Sequence, residues 1–181
     1  NGAGKTTLIS LIAGLLRPAH GHIRVQGHHT VDAAVHARQS TGFVFQSASL
    51  DRFMTVQQNL EFAAGLQGFT TRQAAEKLDA LFQIFPIKPW LRKPAGALSG
   101  GQRRLVDTAR ALVHQPELLL LDEPTNALDV PSKNMVWNTL EALQNAHKIT
   151  ILVATHLMDE AQSCDRVGFL NHGSLNWIGT P

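Results

Sequence analysis

An α/β fold, with a parallel core sheet and one inserted helical lobe, is what this sequence predicts, on three observations. Two continuous apolar runs, Glu117–Asp122 and Ile149–Ala154, have the length and the leucine or β-branched content of buried parallel strands. Helical patterns alternate with such runs near both ends of the chain, the signature of a sheet crossed by helices. Between residues 47 and 115 the alternation gives way to successive helical patterns, which places a helical insert inside the α/β frame.

Taken in order, the chain opens on Asn1-Gly2-Ala3-Gly4, and an apolar-rich segment from Lys5 to Leu16 reads as a helix stopped by Arg17-Pro18. Ile23–Val25 and Gly42–Phe45 read as short strands, separated by a polar stretch holding His28-His29. Thr55 with Gln58 and Thr70 with Gln73 have the spacing of capping boxes, opening helices over Val56–Leu66 and Thr71–Phe85, the second stopped by Pro86. A loop rich in proline and basic residues, Lys88–Pro94, leads to a third helix ending near His114. After the Glu117–Asp122 strand, Pro131 suits the first turn of a helix reaching Ala146. Ile149–Ala154, a short helix Leu157–Ser163 and a hairpin of Arg166–Leu170 with Ser174–Ile178 around Asn171-His172-Gly173 complete the order. The reading is one domain over residues 1–181: residues 1–46 and 116–181 form the core lobe and 47–115 the helical lobe.

Composition narrows the function. A charged fraction of 17% with a formal net charge of only +2 gives no reason to expect nucleic acid as a partner. The single cysteine, Cys164, makes no internal disulfide, fits a reducing compartment and reads as a small buried residue near a helix end. No apolar stretch approaches the ~18 residues of a membrane span. His20, His22, His28 and His29 suggest a metal only weakly, because no carboxylate or cysteine cluster accompanies them.

Three motifs carry chemistry. Asn1-Gly2-Ala3-Gly4-Lys5-Thr6-Thr7 matches the end of the phosphate-loop pattern G-x-x-x-x-G-K-[ST]. Glycines let successive backbone N–H groups turn toward phosphate oxygens, and the following helix presents its positive end to the same anion. Lys5 would reach the β- and γ-phosphates, and the Thr6 hydroxyl would join a Mg²⁺ shell. The bland alternative is a glycine-rich helix start with a solvated lysine.

Asp122-Glu123 ends a strand at the sheet edge where α/β folds bind ligands. Asp122 can hold Mg²⁺ and Glu123 can take the proton of an attacking water; otherwise two acids merely terminate a strand. Leu98-Ser99-Gly100-Gly101-Gln102 is the most specific string, expected by chance on the order of once per million positions. Ser99 and Gln102 are spaced as a capping box, and such a helix end binds anions or is simply a capped helix.

In this order the motifs resemble those of the ATP-binding cassette (ABC) ATPases over nearly the whole chain. Leu98–Gln102 is similar to their signature motif, Leu118–Glu123 to their Walker B strand and Asn1–Thr7 to the end of their Walker A loop. The resemblance implies a P-loop NTPase (RecA-like) core, with ATP and Mg²⁺ as cofactors. It also singles out residues that are unremarkable alone. Gln46, otherwise a polar strand end, matches the Q-loop glutamine that contacts Mg²⁺ or water and relays to a membrane partner. His156, otherwise a helix-capping residue, matches the switch histidine near the γ-phosphate. Asn126-Ala127-Leu128-Asp129 matches the D-loop.

Two cassettes of this family pair head to tail, so Ser99 and Gly101 of one are implied to face nucleotide held by Lys5 of the other. The stretches Ser49–Asp51, Thr55–Leu60, Arg103-Arg104, Thr155–Ala161 and Gly179–Pro181 are similar to the ABC-2-type exporters of drugs, polysaccharides or haem. That implies an ATPase peripheral to the cytoplasmic face of the membrane, working with a permease. Soluble cassettes acting on ribosomes are the alternative, echoed in Thr125-Asn126. The span between Lys5 and Ser99 is too short for the long coiled coil of the chromosome-maintenance branch.

Three departures stand out. The leading loop glycine, the preceding strand and the adenine-stacking aromatic would lie before Asn1, and the chain has no tyrosine. Asn126 replaces a small residue, and related cassettes usually continue past Pro181. The 181 residues made alone are therefore expected to fold poorly and bind ATP weakly.

Overall fold

The computed structural model describes residues 2–181. Its centre is a three-stranded parallel sheet of β3 (Thr41–Val44), β4 (Leu118–Asp122) and β5 (Thr150–Ala154), in that order. Thr41 to Val44 align with Leu118 to Leu121, and Leu118 to Asp122 with Thr150 to Ala154. β4 lies between two partners, and Leu119, Leu120 and Leu121 are fully buried. Because side chains alternate along a strand, they point to opposite faces. Leu119 and Leu121 join one cluster with Val56, Leu60, Leu105, Val106, Val136 and Leu140, while Leu120 packs with Ile9, Ala13 and Ala154. Helices thus cover both faces, as a continuous apolar strand requires.

Helix α1 (Lys5–Ile12) covers the second face. It stops four residues short of the expected Leu16, because Gly14 adopts φ +68° and closes a Schellman motif: its N–H donates to Leu11 O and that of Leu15 to Ser10 O. A methyl group at Gly14 would sit 2.9 Å from Thr30 O, so close approach also demands glycine. His28–His29, read as polar linker, is strand β2, pairing antiparallel with β1 (Arg24–Val25) around the positive-φ pair Gln26-Gly27. The six-residue α2 (Ala34–Gln39) was not anticipated; it buries only Ala37 and lacks a side-chain cap.

The helical block follows the sequence closely. α3 (Val56–Leu66) and α4 (Thr71–Ile84) both start at complete capping boxes, and α4 buries Ala74, Leu78 and Leu81 at helical spacing. The Lys88–Pro94 segment contains the 3-10 turn Lys88–Trp90, and it is strapped to the start of α3: Val56 N–H donates to Lys93 O and Gln57 N–H to Leu91 O.

α5 (Gly100–Ala111) packs on α3, β3 and α6 (Val130–His147). The helical block and the sheet therefore share one core. β5 differs from its expected full burial: Thr150 and Leu152 are exposed and only Ala154 is buried, because β5 is an edge of the described sheet. The short α7 (Met158–Ala161) precedes the antiparallel pair β6 (Val167–Asn171) and β7 (Ser174–Gly179), turning at His172-Gly173 with both φ positive. Cys164 is half-buried rather than buried, and its thiol donates to Glu160 O. Burial, then Asp165 and Glu160, push that thiol's pKa up.

Candidate functional site

The phosphate loop takes the backbone shape its glycines permit. Gly2 has φ +81° and Gly4, the N-cap of α1, has φ +99°, values in the region that favours glycine. No side chain caps α1 and its first turn holds no acid, so its amides and positive end face outward uncompensated. The hairpin tip supports the loop from behind, as Gly173 N–H donates to Ala3 O at 2.9 Å. Gly2, Ala3, Gly4, Lys5, Thr6, Thr7 and Glu123 line one cavity of about 210 Å³. Asn1 lies outside the described residues.

Glu123 joins this cavity to the other predicted catalytic side chains. It follows β4 at φ +48°, and its N–H donates to Ala154 O at 2.8 Å, which turns the carboxylate off the sheet end. Gln46 Nε2 donates to Glu123 Oε2 at 3.3 Å, and His156 Nδ1 lies 3.1 Å from Oε1. Three separate sheet ends therefore deliver Gln46, Glu123 and His156 to one point: β3 leads to the first, β4 to the second and β5 to the third. A fourth group's contact was missed by sequence reasoning. Asn126 Nδ2 donates to Glu123 Oε2 at 2.9 Å. The D-loop resemblance marks Asn126 but not this contact; the local signal for it is its place three residues on, past Pro124, where a turn folds back on the strand end. The carboxylate side chain is 14% exposed and the imidazole 39%, so a water can reach both.

Asp122 is 4% exposed, and its Oδ1 is buried with no hydrogen-bond partner. A buried unpaired carboxylate oxygen costs about 1–3 kcal/mol or more, and a divalent cation is the kind of partner that removes the cost. Among the described residues no three His, Cys, Asp or Glu side chains gather as a metal site. Magnesium needs no such cage, since it takes one or two carboxylates with phosphate and water oxygens. The donor set therefore fits Mg²⁺.

The Ser99–Gln102 helix end stands apart. Ser99 caps α5 by accepting from Gln102 N–H at 3.3 Å, and Gln102 Oε1 accepts from Ser99 N–H at 3.1 Å. Neither residue lines the Lys5 cavity. Gly100 and Gly101 have a packing role within the chain: a Cβ on Gly101 would lie 2.6 Å from Ser132 Cβ and Oγ, and one on Gly100 3.1 Å from Leu128 Cδ2. Asp129 is the exposed N-cap residue of α6 and makes no side-chain capping bond. The histidines of the β1–β2 region meet in two pairs, His22 tilted against His29 and His28 stacked on His36.

A glycine-turned phosphate loop before a helix, with two acids ending a parallel strand and the second of them facing the loop, defines a P-loop nucleotide-binding α/β protein. The family described as ABC transporter matches residues 1–126. The ABC transporter ATP-binding protein NatA of Bacillus subtilis (strain 168) is 36% identical over 99% of this chain and 73% of its own length. The daunorubicin/doxorubicin resistance ATP-binding protein DrrA of Streptomyces peucetius is 39% identical, with 99% of this chain covering 54% of that protein. Several other relatives are likewise matched over well under two thirds of their length, down to 31%.

Among solved structures, cbiO1 from Clostridium perfringens, part of the ABC transporter complex cbiONQ, superposes with a TM-score of 0.91 at 31% identity, over 99% of this chain and 74% of that one. A dimeric ATP-binding cassette in a post-hydrolysis state, bound to ADP and Pi, gives 0.84 at 25% identity, over 98% and 81%. The chain belongs to the ABC transporter family, as an ATP-binding ATPase cassette. The comparisons do not favour the ribosome-acting alternative.

Proposed function

We propose that the chain binds ATP and Mg²⁺ and hydrolyses the nucleotide to drive export through a partner permease. The supporting observation is the convergence of Gln46, Asn126 and His156 on Glu123 at the mouth of the Gly2–Thr7 cavity. In this reading the loop amides and Lys5 hold the phosphates, while Thr6, Asp122 and Gln46 hold the cation, which offsets phosphate charge. Glu123 accepts the proton of the attacking water. His156 and Gln46 orient that water and the terminal phosphate.

Ser99, Gly100, Gly101 and Gln102, outside the Lys5 cavity, serve nucleotide held by a second cassette, and Asp129 lies at that same junction. Two of the relatives are named for drug resistance and Nod factor export, which supports the export direction. No helix of the described residues is long and apolar enough to cross a membrane. In this reading the cassette works at the cytoplasmic face of the membrane, where ATP is held.

The test is to purify the full-length protein from membranes together with any membrane protein that it retains. The proposal expects a stable complex whose MgATP turnover rises above that of the cassette alone. A full-length protein that neither binds any membrane protein nor hydrolyses ATP overturns it.

A further inference from the structure

On the reading that Gln46 and Glu123 serve hydrolysis, we propose that Arg104 is a positioning residue that locks Gln46 to α5. The Ser99 end of that helix and the Gln46 backbone then move together.

Helix α5 grips β3 and the loop beyond it along its length. His114, just past its end, holds Thr41 O through Nε2 at 3.2 Å. At Gly42 the backbones approach so closely that a Cβ would fall 2.6 Å from Ala111 O. Asp107, fully buried, accepts from Ser49 N–H at 3.3 Å on one oxygen and from Arg110 Nε at 2.9 Å on the other. The strongest grip is Arg104: Nη1 donates to Phe45 O at 2.5 Å and Nη2 to Gln46 O at 2.6 Å.

These two carbonyls lie beyond Val44, the last residue of β3, where the sheet ladder no longer pairs them. A guanidinium presents a rigid fork that spans two successive carbonyls, which a lysine ammonium cannot do. Arg104 is 8% exposed. Burial lowers its pKa, while Asp107 and Asp122 act in the opposite sense and favour the cation. The Gln46 backbone is thus fixed by Arg104 while its amide meets Glu123 Oε2 at 3.3 Å.

Ser99 and Arg104 are about 7–8 Å apart along the helix axis, at ~1.5 Å per residue. A shift of the Ser99 end on meeting nucleotide is therefore delivered to Gln46 through a rigid rod and two short bonds. No flexible segment intervenes. One helix end reads the neighbouring nucleotide, and the fifth residue beyond its cap adjusts the chain's own site.

A double-mutant cycle in the full-length transporter tests this. Arg104→Met and Gln46→Ala are each expected to lower kcat about tenfold with little change in ATP affinity measured without turnover. Together they should also lower it about tenfold, because the first acts through the second. Losses that multiply to about a hundredfold overturn the link and leave Arg104 an ordinary packing residue. A Gln46→Ala variant with unchanged kcat overturns the site reading itself, and the link with it. If Arg104→Met does not fold, Arg104→Lys, which retains charge and one donor, runs through the same cycle with a smaller first loss and the same criterion.

Discussion

Replacing Glu123 by glutamine separates binding from chemistry, and the structure says how well the substitution fits. Gln46 and Asn126 both donate to Oε2, while His156 faces Oε1. A glutamine that places its carbonyl at the Oε2 position keeps both donors satisfied. Its NH₂ then occupies the Oε1 position and donates to His156 Nδ1, provided the imidazole is neutral with its proton on Nε2. No hydrogen bond of the cluster is lost and no volume changes, so stability should stay within about 1 kcal/mol.

The phosphate contacts of the Gly2–Thr7 loop are untouched, so ATP affinity should hold. What disappears is the only carboxylate among the described residues that line the loop cavity, and loss of a general base lowers turnover by about 10²–10⁴. With binding intact and hydrolysis blocked, the two-cassette state should persist. The assay is steady-state ATPase activity of the full-length protein, nucleotide binding by calorimetry and ATP-dependent dimerisation by size-exclusion chromatography. Unchanged turnover, or ATP affinity lost along with it, refutes the assignment of Glu123 as the base.

Two further outcomes follow from packing and titration. Gly101→Ala forces a Cβ to within 2.6 Å of Ser132 Cβ and Oγ, so thermal or denaturant unfolding should show a loss of about 1–3 kcal/mol; Ser132→Gly in the same chain should recover part of it, and an unshifted midpoint for Gly101→Ala contradicts the close packing of α5 on α6. His114 is held neutral, its pKa lowered first by burial, against the Thr41 backbone bond, with Lys77 lowering it further. Because the unfolded chain binds the extra proton first, near the ordinary value of about 6.5, stability is present above that pH and falls as pH drops from there toward the lower folded pKa. His114→Gln should therefore flatten the difference in unfolding midpoint between pH 7.5 and pH 5.5, about one unit either side of that value, and a variant with the same pH slope as the parent contradicts this.

How much of this was legible in the sequence depends on where each signal resides. β4 and the three capped helices were readable because the information is local: a run of leucines ending in Asp122, and hydroxyl residues followed by Gln at the third position. The phosphate loop and Asp122-Glu123 were readable because glycines and acids at strand ends have few other uses.

β2 and α2 were not, since two histidines and AVHARQ carry no periodic apolar pattern, and neighbours rather than propensity hold them. The early stop of α1 at Gly14 was overlooked because the apolar residues continue through Leu15 and Leu16, which end largely exposed. Gln46 and His156 needed the family resemblance, since only the parallel register brings them from separate strands to Glu123. Arg104 and Asn126 stood out only through the family resemblance, and their contacts with the site were not legible. Their partners are two backbone carbonyls 59 and 58 positions away and a carboxylate across a turn, contacts that no local pattern announces.

The central claim is that the Gly2–Thr7 loop and the Glu123 cluster form one ATP-hydrolysing site. The most direct measurement is MgATP hydrolysis by the full-length protein, compared with Lys5→Ala. Lys5 lines the cavity beside Glu123, so the account predicts turnover in the parent, its collapse in the variant and weakened ATP binding with an unchanged fold. Hydrolysis that persists undiminished in Lys5→Ala contradicts it.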